Sequence, residues 1–293
     1  VIDVHHPLRN HPNREELNRN RDQRRYAEYM RNQVRELLTG YGLIDIIWFD
    51  FSYPRKEGDG KGWEDWESEK LLELIRSLQP GIIVNDRMDL PGAGDFRSPE
   101  QYVPVNGIRD EDGNLVYWEG CQTFCCAWGY HRDELGWKTP KQVIEMLVNH
   151  VSRAGNLLLN VGPDARGKFD ARAIGMLKKL EEWMRDNSRS VYGCTIQPAE
   201  YPEPDNCRYT YHAQSNRLYL HLLTYPVKFL HLENLGGMVK FARFLHDGSE
   251  IKFKELGSAP HGNMTAKTET GTLTLVLPPC APPVEVPVIE LFL

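Results

Sequence analysis

The stretch that decides the fold of this 293-residue chain is Leu43-Ile44-Asp45-Ile46-Ile47-Trp48-Phe49-Asp50-Phe51. It follows a glycine-containing break at residues 40–42, and most of its residues are apolar. A run that is apolar on both faces and bounded by turn signals is typical of a buried strand in a parallel sheet. Asp50 then lies at the end of that strand, which is the edge of the sheet where barrel enzymes carry their chemistry.

The same design recurs along the next hundred residues. Short apolar runs end in polar residues near Arg87, Glu119 and Asn160, and a further brief segment between them ends at Glu100. Helical spacing between these runs, with helix starts at Asp22, Thr139 and Asp170, predicts a (β/α) arrangement. We find five strand positions from Asp50 onward and a strand-like stub at the first residues, whereas a closed (β/α)8-type (TIM) barrel needs eight. We therefore expect a TIM barrel that is incomplete at its amino terminus, and an upstream part of the chain.

Beyond residue 193 the helical spacing disappears. Pro198, Pro202 and Pro204 mark a linker, and from Arg217–Leu222 onward short runs alternate apolar and polar residues. Several short strands at this spacing favour a β-sandwich. The sequence thus predicts two domains, the carboxy-terminal part of a catalytic (β/α) barrel at residues 1–193 and an all-β sandwich domain at residues 194–293.

Composition argues against several classes of partner. The formal net charge is -6 and no basic run is long enough to follow a nucleic-acid backbone. No apolar run approaches the roughly 18 residues of a membrane span. The six cysteines lack paired C-x-x-C spacing, so we expect no zinc site, and the close spacing of Cys121, Cys125 and Cys126 permits a local disulfide without proving one. Oligomerisation is possible but cannot be read from the sequence.

Three acids at predicted strand exits, Asp50, Glu100 and Glu119, are the candidate catalytic groups. Glycoside hydrolysis with retention needs two carboxyl groups about 5–5.5 Å apart. The ends of adjacent or alternate barrel strands can bring acids from separate segments within that distance. An acid at a strand end is also typical of a helix N-cap or a loop salt bridge, so this interpretation stays open here.

Aromatic and basic residues near these acids are candidate sugar contacts. Trp48 and Phe124 would offer aromatic faces, and Arg87 would bind a ring oxygen or hold a carboxylate ionised. The structural alternatives are a core tryptophan and an ion-pair arginine. His5 and His6 precede a proline and would be loop residues or, because neutral imidazole both donates and accepts, hydroxyl binders.

Seven short motifs follow one another along residues 1–193. They are residues 32–39, Trp48-Phe49-Asp50, Asn85-Asp86-Arg87, residues 95–100, Trp118-Glu119-Gly120-Cys121, Trp128-Gly129-Tyr130 and residues 155–163. In content and order they resemble the α-L-fucosidases of glycoside hydrolase family 29. The segment after residue 194 is similar only in position, to the carboxy-terminal β-sandwich of that family.

The resemblance implies a retaining exo-glycosidase that releases terminal L-fucose from fucosylated oligosaccharides or glycoconjugates, without a metal or an organic cofactor. Asp50, in the W-F-D motif, would be the nucleophile, and Glu100, which closes D-F-x-x-P-E, would be the general acid and then the base. Glu119 is the rival for the second role and otherwise a substrate-binding residue. We prefer Glu100 because its motif matches more closely.

The resemblance also assigns binding residues. Trp48, Arg87 and Phe124 match positions that line the fucose pocket, and His5 and His6 fall in a segment near it. A secreted, periplasmic or lysosomal location is implied, while the preferred fucosyl linkage stays open. The family's first strands carry further fucose-binding residues that cannot be identified here, so we expect the 293-residue chain alone to be unstable or inactive.

Two other functions compete with this one. The first is a retaining barrel glycosidase that acts on another sugar, since the shape of the pocket sets that choice. The second is a non-catalytic carbohydrate-binding relative. The presence of both Asp50 and Glu100 argues against the second, because a binding protein has no need for a matched pair of acids.

Overall fold

The computed structural model describes residues 6–50, 52, 61–255 and 271–293. Contacts divide the chain into two compact units, Val1–Ser98 and Pro99–Leu293. The predicted strand stub and His5 lie outside the described residues. The predicted domain boundary between residues 193 and 194 stays a prediction.

The first unit places a short parallel pair of strands among helices. Its elements are α1 (Arg14–Asn18), α2 (Gln23–Gly40), β1 (Ile46–Ile47), α3 (Trp63–Trp66), α4 (Ser68–Leu78) and β2 (Ile83–Val84), followed by a 3-10 turn at Asp86–Met88. Ile46 lies opposite Ile83 and Ile47 opposite Val84. A further parallel bridge joins Asn85 to Phe96, so a third extended segment lies beside β2.

Helix α2 is amphipathic and starts where the sequence predicts. The Asp22 carboxylate accepts a hydrogen bond from the Arg24 N–H at 3.0 Å, which caps the helix. Val34 and Leu38 pack into the core, whereas Tyr26 is 53% exposed. The helix also includes Gly40 as its last residue, and Gly42 rather than Gly40 adopts a positive φ of 83°.

The two faces of the β1–β2 pair differ in exposure. Ile47 and Val84 belong to the core formed with α2 and α4, whereas Ile46 and Ile83 are 49% and 43% exposed. Because neighbouring strand residues point to opposite faces, Ile46 and Ile83 share the face of the pair that is more exposed. The prediction that this strand is buried on both faces was therefore wrong for the face that carries Ile46.

The second unit begins with another parallel pair. Its first elements are β3 (Glu119–Thr123), α5 (Pro140–Val151), β4 (Asn156–Asn160) and α6 (Ala171–Asn187). β3 and β4 run parallel, with Glu119 opposite Asn156. Thr139 and Gln142 cap α5 reciprocally, and Asp170 caps α6, so both predicted helix starts are confirmed.

Two antiparallel sheets follow in the second unit. The strands are β5 (Cys207–His212), β6 (Arg217–Leu222), β7 (Phe229–Leu232), β8 (Phe241–Phe244), β9 (Lys252–Glu255), β10 (Leu273–Val276) and β11 (Val288–Phe292). One sheet has the order β5-β6-β11-β8 and the other β7-β10-β9. Leu220 and Ile289 of the first sheet share a core with Leu232 and Leu275 of the second. The strands predicted from Arg217 onward are confirmed, whereas β5 was missed.

Helices α5 and α6 pack on the four-stranded sheet. Val148 and Trp183 join Tyr219 and Val288 in one apolar cluster, and the Trp183 indole N–H donates to the Val286 carbonyl at 3.2 Å. All six cysteines are free thiols, so no local disulfide forms at residues 121–126. Among the helices of the described ranges, none combines the length and the apolar composition that crossing a lipid bilayer requires.

Candidate active site

The chain leaves the sheet after β1 and presents Asp50. Its side chain is 35% exposed and accepts a hydrogen bond from Arg87 Nη1 at 3.0 Å. Arg87 lies in the 3-10 turn directly after β2, so the parallel pairing of β1 with β2 brings two distant segments together. The structure thus places the predicted nucleophile against one of the predicted binding residues.

Arg87 is held from two further directions. Its guanidinium carbon lies 4.6 Å from the centroid of the Trp48 ring, within the range of a cation–π contact. Its Nε donates to Ser98 Oγ at 3.3 Å and its Nη2 to the Ser98 carbonyl at 3.0 Å. These contacts leave Arg87 only 18% exposed and aim Nη1 at Asp50.

Ser98 is a site residue that sequence reasoning missed. Both its N–H, at 3.0 Å, and its hydroxyl donate to Asp86 Oδ1. The Asp86 carboxylate thus fixes the serine that orients Arg87. A hydroxyl directly before the Pro99-Glu100 pair is the only sequence signal we recognise for it, and that signal is weak.

A cavity of about 180 Å³ opens beside Asp50 and Arg87. Its walls include Phe49 from the β1 exit, Tyr26 from α2 and Trp66 from α3. The rings of Tyr26 and Trp66 meet edge to face with their centroids 6.0 Å apart. The carboxylate therefore borders a space with aromatic walls, two of which come from helices whose side chains were not predicted to face the site.

Glu100 belongs to the second unit, where its backbone lies beside β3. The Cys121 N–H donates to the Pro99 carbonyl at 3.0 Å, and the Gln101 N–H donates to the Cys121 carbonyl at 3.1 Å. Gln101 adopts a left-handed φ of 59°, which is uncommon for a residue other than glycine. Glu100 itself is exposed. Asp50 and Glu100 lie in different units, and their pairing stays a prediction.

Glu119 does not lie at a strand exit, and that prediction was wrong. It is the first residue of β3, which continues through Gly120-Cys121-Gln122-Thr123. The polar character of these residues hid the strand, although it pairs with β4 and most of its residues are buried. Burial raises the pKa of Glu119, a shift in the direction that an acid catalyst needs.

The remaining predicted sugar contacts have mixed surroundings. Phe124 is 2% exposed and packs with Val143 and Met176, and the neighbouring motif residue Trp118 is fully buried, with its indole N–H donating to the Arg153 carbonyl at 3.0 Å. His6 Nδ1 accepts a hydrogen bond from the Leu8 N–H at 3.0 Å. The binding roles of Phe124 and His6 stay predictions.

The motifs and the fold point to the same family. The alpha-L-fucosidase family model matches residues 1–189, which is more than half of the chain. The chain belongs to the alpha-L-fucosidase family. The resemblance drawn from its motifs is confirmed.

Relatives of this family member include curated proteins and solved structures. Plasma alpha-L-fucosidase of Rattus norvegicus is 30% identical over 169 residues, which cover 55% of this chain and 34% of the relative. Alpha-L-fucosidase isoenzyme 1 from Paenibacillus thiaminolyticus is 39% identical with a TM-score of 0.85, over 98% of this chain and 66% of that one. A family 29 alpha-L-fucosidase from Bacteroides thetaiotaomicron is 26% identical with a TM-score of 0.75, over 92% and 60% of the two chains.

The matches cover only part of each relative, so the relatives' activities cannot be assigned to this chain from their names alone. The chain spans about a third of the length of the curated relatives it matches and about two thirds or less of the solved structures. Family membership is thus shown, while the activity of the whole protein is argued below from the site.

Proposed function

We propose that the protein is a retaining exo-glycosidase that hydrolyses terminal alpha-L-fucosyl residues from fucosylated oligosaccharides or glycoconjugates. The arrangement at the end of β1 carries the proposal. There the Asp50 carboxylate borders a cavity and is held at 3.0 Å by Arg87, which itself stacks on Trp48. A retaining glycosidase needs such a carboxylate, ionised and fixed in direction, as its nucleophile.

The proposed reaction has two steps. Asp50 attacks the anomeric carbon while Glu100 gives a proton to the glycosidic oxygen, and the bond between that oxygen and the anomeric carbon breaks. The resulting Glu100 carboxylate then takes a proton from water, whose oxygen attacks the anomeric carbon and displaces Asp50. Two inversions at one carbon give net retention.

A solved relative supports this assignment of the reaction type. An alpha-L-fucosidase from Bacteroides thetaiotaomicron was trapped as a covalent intermediate with 2-fluoro-fucosyl fluoride, and it is 26% identical to this chain with a TM-score of 0.74. The proposal transfers that covalent step to Asp50, and it is supported by the place of Asp50 in the W-F-D motif and by its contact with Arg87.

The proposal also covers the barrel fold and the cellular location of the protein. We infer that residues 1–193 belong to a (β/α)8-type barrel, supported by parallel pairs with intervening helices in both units. A secreted or lysosomal location is supported by relatives named plasma and tissue alpha-L-fucosidase.

The test uses protein expressed from its complete open reading frame and nitrophenyl α-L-fucoside. We expect turnover whose first product, followed by proton NMR, is the α-anomer of L-fucose. Asp50→Ala should lower kcat by roughly 10³-fold or more while affinity for fucose persists. Nitrophenyl galactosides test the other-sugar alternative. A β-anomer as first product, or full turnover by Asp50→Ala, would contradict the proposal, and fucose binding without turnover would favour a carbohydrate-binding protein.

A further inference from the structure

Two buried side-chain amides hold the two ends of the β1 segment. At its start, Gln79 Oε1 accepts from the Ile44 N–H at 2.9 Å, and Gln79 Nε2 donates to two backbone carbonyls. At its end, Asn85 Oδ1 accepts from the Phe49 N–H and Asn85 Nδ2 donates to the Phe49 carbonyl, both at 2.8 Å. The amides are 8% and 0% exposed.

The end of the strand pairing explains why the backbone groups of Phe49 need a side chain as their hydrogen-bond partner. Main-chain pairing between β1 and β2 ends at Ile47 and Val84, and the backbone of Asn85 bridges to Phe96 on its other side. The peptide groups of Phe49 would otherwise lose their partners, which is costly away from water. The Asn85 amide replaces the missing ladder with one donor and one acceptor, both bonded to the same residue.

We propose that Asn85 is a positioning residue for the nucleophile. Fixing both the N–H and the carbonyl of Phe49 sets the backbone direction from which the next residue, Asp50, projects its carboxylate. Arg87 holds the carboxylate itself, so backbone and side chain are constrained separately. This inference rests on the proposed function, in which Asp50 attacks the anomeric carbon. A displacement of about 1 Å at such a group can cost roughly 10²-fold in rate.

The first test compares the two amides. Asn85→Leu keeps the branched shape of the side chain and removes both of its hydrogen bonds. Gln79→Met removes the three hydrogen bonds at the other end of β1 and also leaves an apolar side chain there. Both variants should lower the Tm. Only Asn85→Leu should lower kcat on nitrophenyl α-L-fucoside, by roughly 100-fold with KM within about 3-fold. An equal loss of kcat in Gln79→Met would overturn the proposal, because general loosening would then explain the effect.

The second test removes the group that Asn85 is proposed to position. In Asp50→Gly, azide attacks the anomeric carbon in place of the carboxylate and forms a fucosyl azide as the nitrophenolate leaves. Adding Asn85→Leu to this background should change the azide-dependent rate by less than about 3-fold. A loss of roughly 100-fold that persists without Asp50 would show that Asn85 acts on another part of the site.

A third measurement keeps the proposal testable if either turnover or folding fails. Wild-type protein without fucosidase activity would contradict the proposed function but not the contact geometry. Amide hydrogen exchange then reports the contact: the Phe49 N–H should exchange roughly tenfold faster in Asn85→Leu, and the Ile44 N–H in Gln79→Met. If Asn85→Leu does not fold, Asn85→Asp retains the acceptor for the Phe49 N–H and loses the donor, so kcat should fall while exchange at Phe49 stays slow. Unchanged exchange at Phe49 in the leucine variant would overturn the proposal.

Discussion

Backbone groups find different hydrogen-bond partners in two regions of the molecule, the strands that lead to Asp50 and the antiparallel sheets of the second unit. The β1–β2 ladder is two residues long. Backbone groups on either side of it bond to the side chains of Gln79 and Asn85, and the N–H of Val84 within β2 bonds to the side chain of Asp95. In the antiparallel sheets, backbone groups bond to one another in ladders of four to six paired residues. The direction of Asp50 thus depends on individual side chains, whereas the sheets depend mainly on the main chain.

This difference predicts which substitutions affect activity and which affect only stability. A substitution near β1 can remove a backbone partner that no other group replaces, so its effect should reach the site. A substitution in the antiparallel sheets leaves the ladder in place, so its effect should appear in stability and not in turnover. The following predictions, ordered from the largest expected effect to the smallest, test this division.

The largest effect is expected at the acid/base. Glu100→Ala should lower kcat/KM on a substrate with a poor leaving group by roughly 10²–10⁴-fold, because proton donation is lost. Azide should restore turnover of a nitrophenyl fucoside. Glu290→Gln is the matched control: Glu290 is fully buried in the sheet, beside Arg189 and Arg243 at 2.9 and 2.7 Å, and the variant should keep its turnover. Azide rescue of Glu119→Ala but not of Glu100→Ala would reverse the assignment of the acid.

The second prediction concerns the acid stability of the second unit. Burial lowers the pKa of His221 from an ordinary 6.5 to about 3. Between these values the unfolded chain binds a proton that the folded protein does not. The free energy of unfolding should therefore decrease as the pH falls from 6.5, by at most about 1.4 kcal/mol per pH unit from this group.

Urea unfolding between about pH 4 and pH 7 measures this dependence. His221→Gln, which cannot titrate, should show a shallower dependence than the wild-type protein. An identical slope in the variant would mean that carboxylates or His150, whose pKa is also lowered by burial, account for the acid sensitivity.

The third prediction asks whether side chains hold the first unit. Asp95 Oδ2 accepts from the N–H of the fully buried Val84 at 2.7 Å, and Arg76 pairs with the same carboxylate. Asp95→Ala should lower the free energy of unfolding by about 1–3 kcal/mol, because a buried N–H loses its acceptor. Glu255→Ala removes a similar contact to the exposed Gly237 N–H and should cost less. Equal losses of unfolding free energy in the two variants would contradict the proposed difference between the two regions.

The smallest effect is expected on α6. A Cβ at Gly175 would meet no atom within 4 Å, so Gly175→Ala should raise the free energy of unfolding by about 0.5–1 kcal/mol. Gly120→Ala should do the opposite by about 1–3 kcal/mol, because its Cβ would collide with the buried His150 ring. Denaturant midpoints of the two variants should move in opposite directions, and shifts of the same sign would contradict the packing described.

Local signals in the sequence were enough for much of the fold. The caps at Asp22, Thr139 and Asp170 are confirmed because capping bonds join residues close in sequence. The alternation of apolar and polar residues identified most strands of the antiparallel sheets, because that pattern also lies within a short stretch of sequence. The prediction that Asp50 follows a strand also held, since β1 ends three residues before it.

What was missed depends on contacts between distant residues. Asn85 looks like an ordinary residue at a strand end, and its role emerges only from bonds to a residue 36 positions earlier. The start of β3 at Glu119 was hidden because the strand is polar and is established by pairing with β4, 37 residues further along the chain. Phe124 offered an aromatic face for a sugar, but its packing against Val143 and Met176 is set by helices far along the chain.

The most direct test of the central claim is covalent labelling of the nucleophile. Protein from the complete open reading frame is incubated with 2-fluoro-fucosyl fluoride, digested and analysed by mass spectrometry. We predict one 2-fluorofucosyl group per chain, on the peptide that contains Asp50, and no label in Asp50→Ala. A label on a peptide that contains Glu100 or Glu119 but not Asp50 would contradict the account.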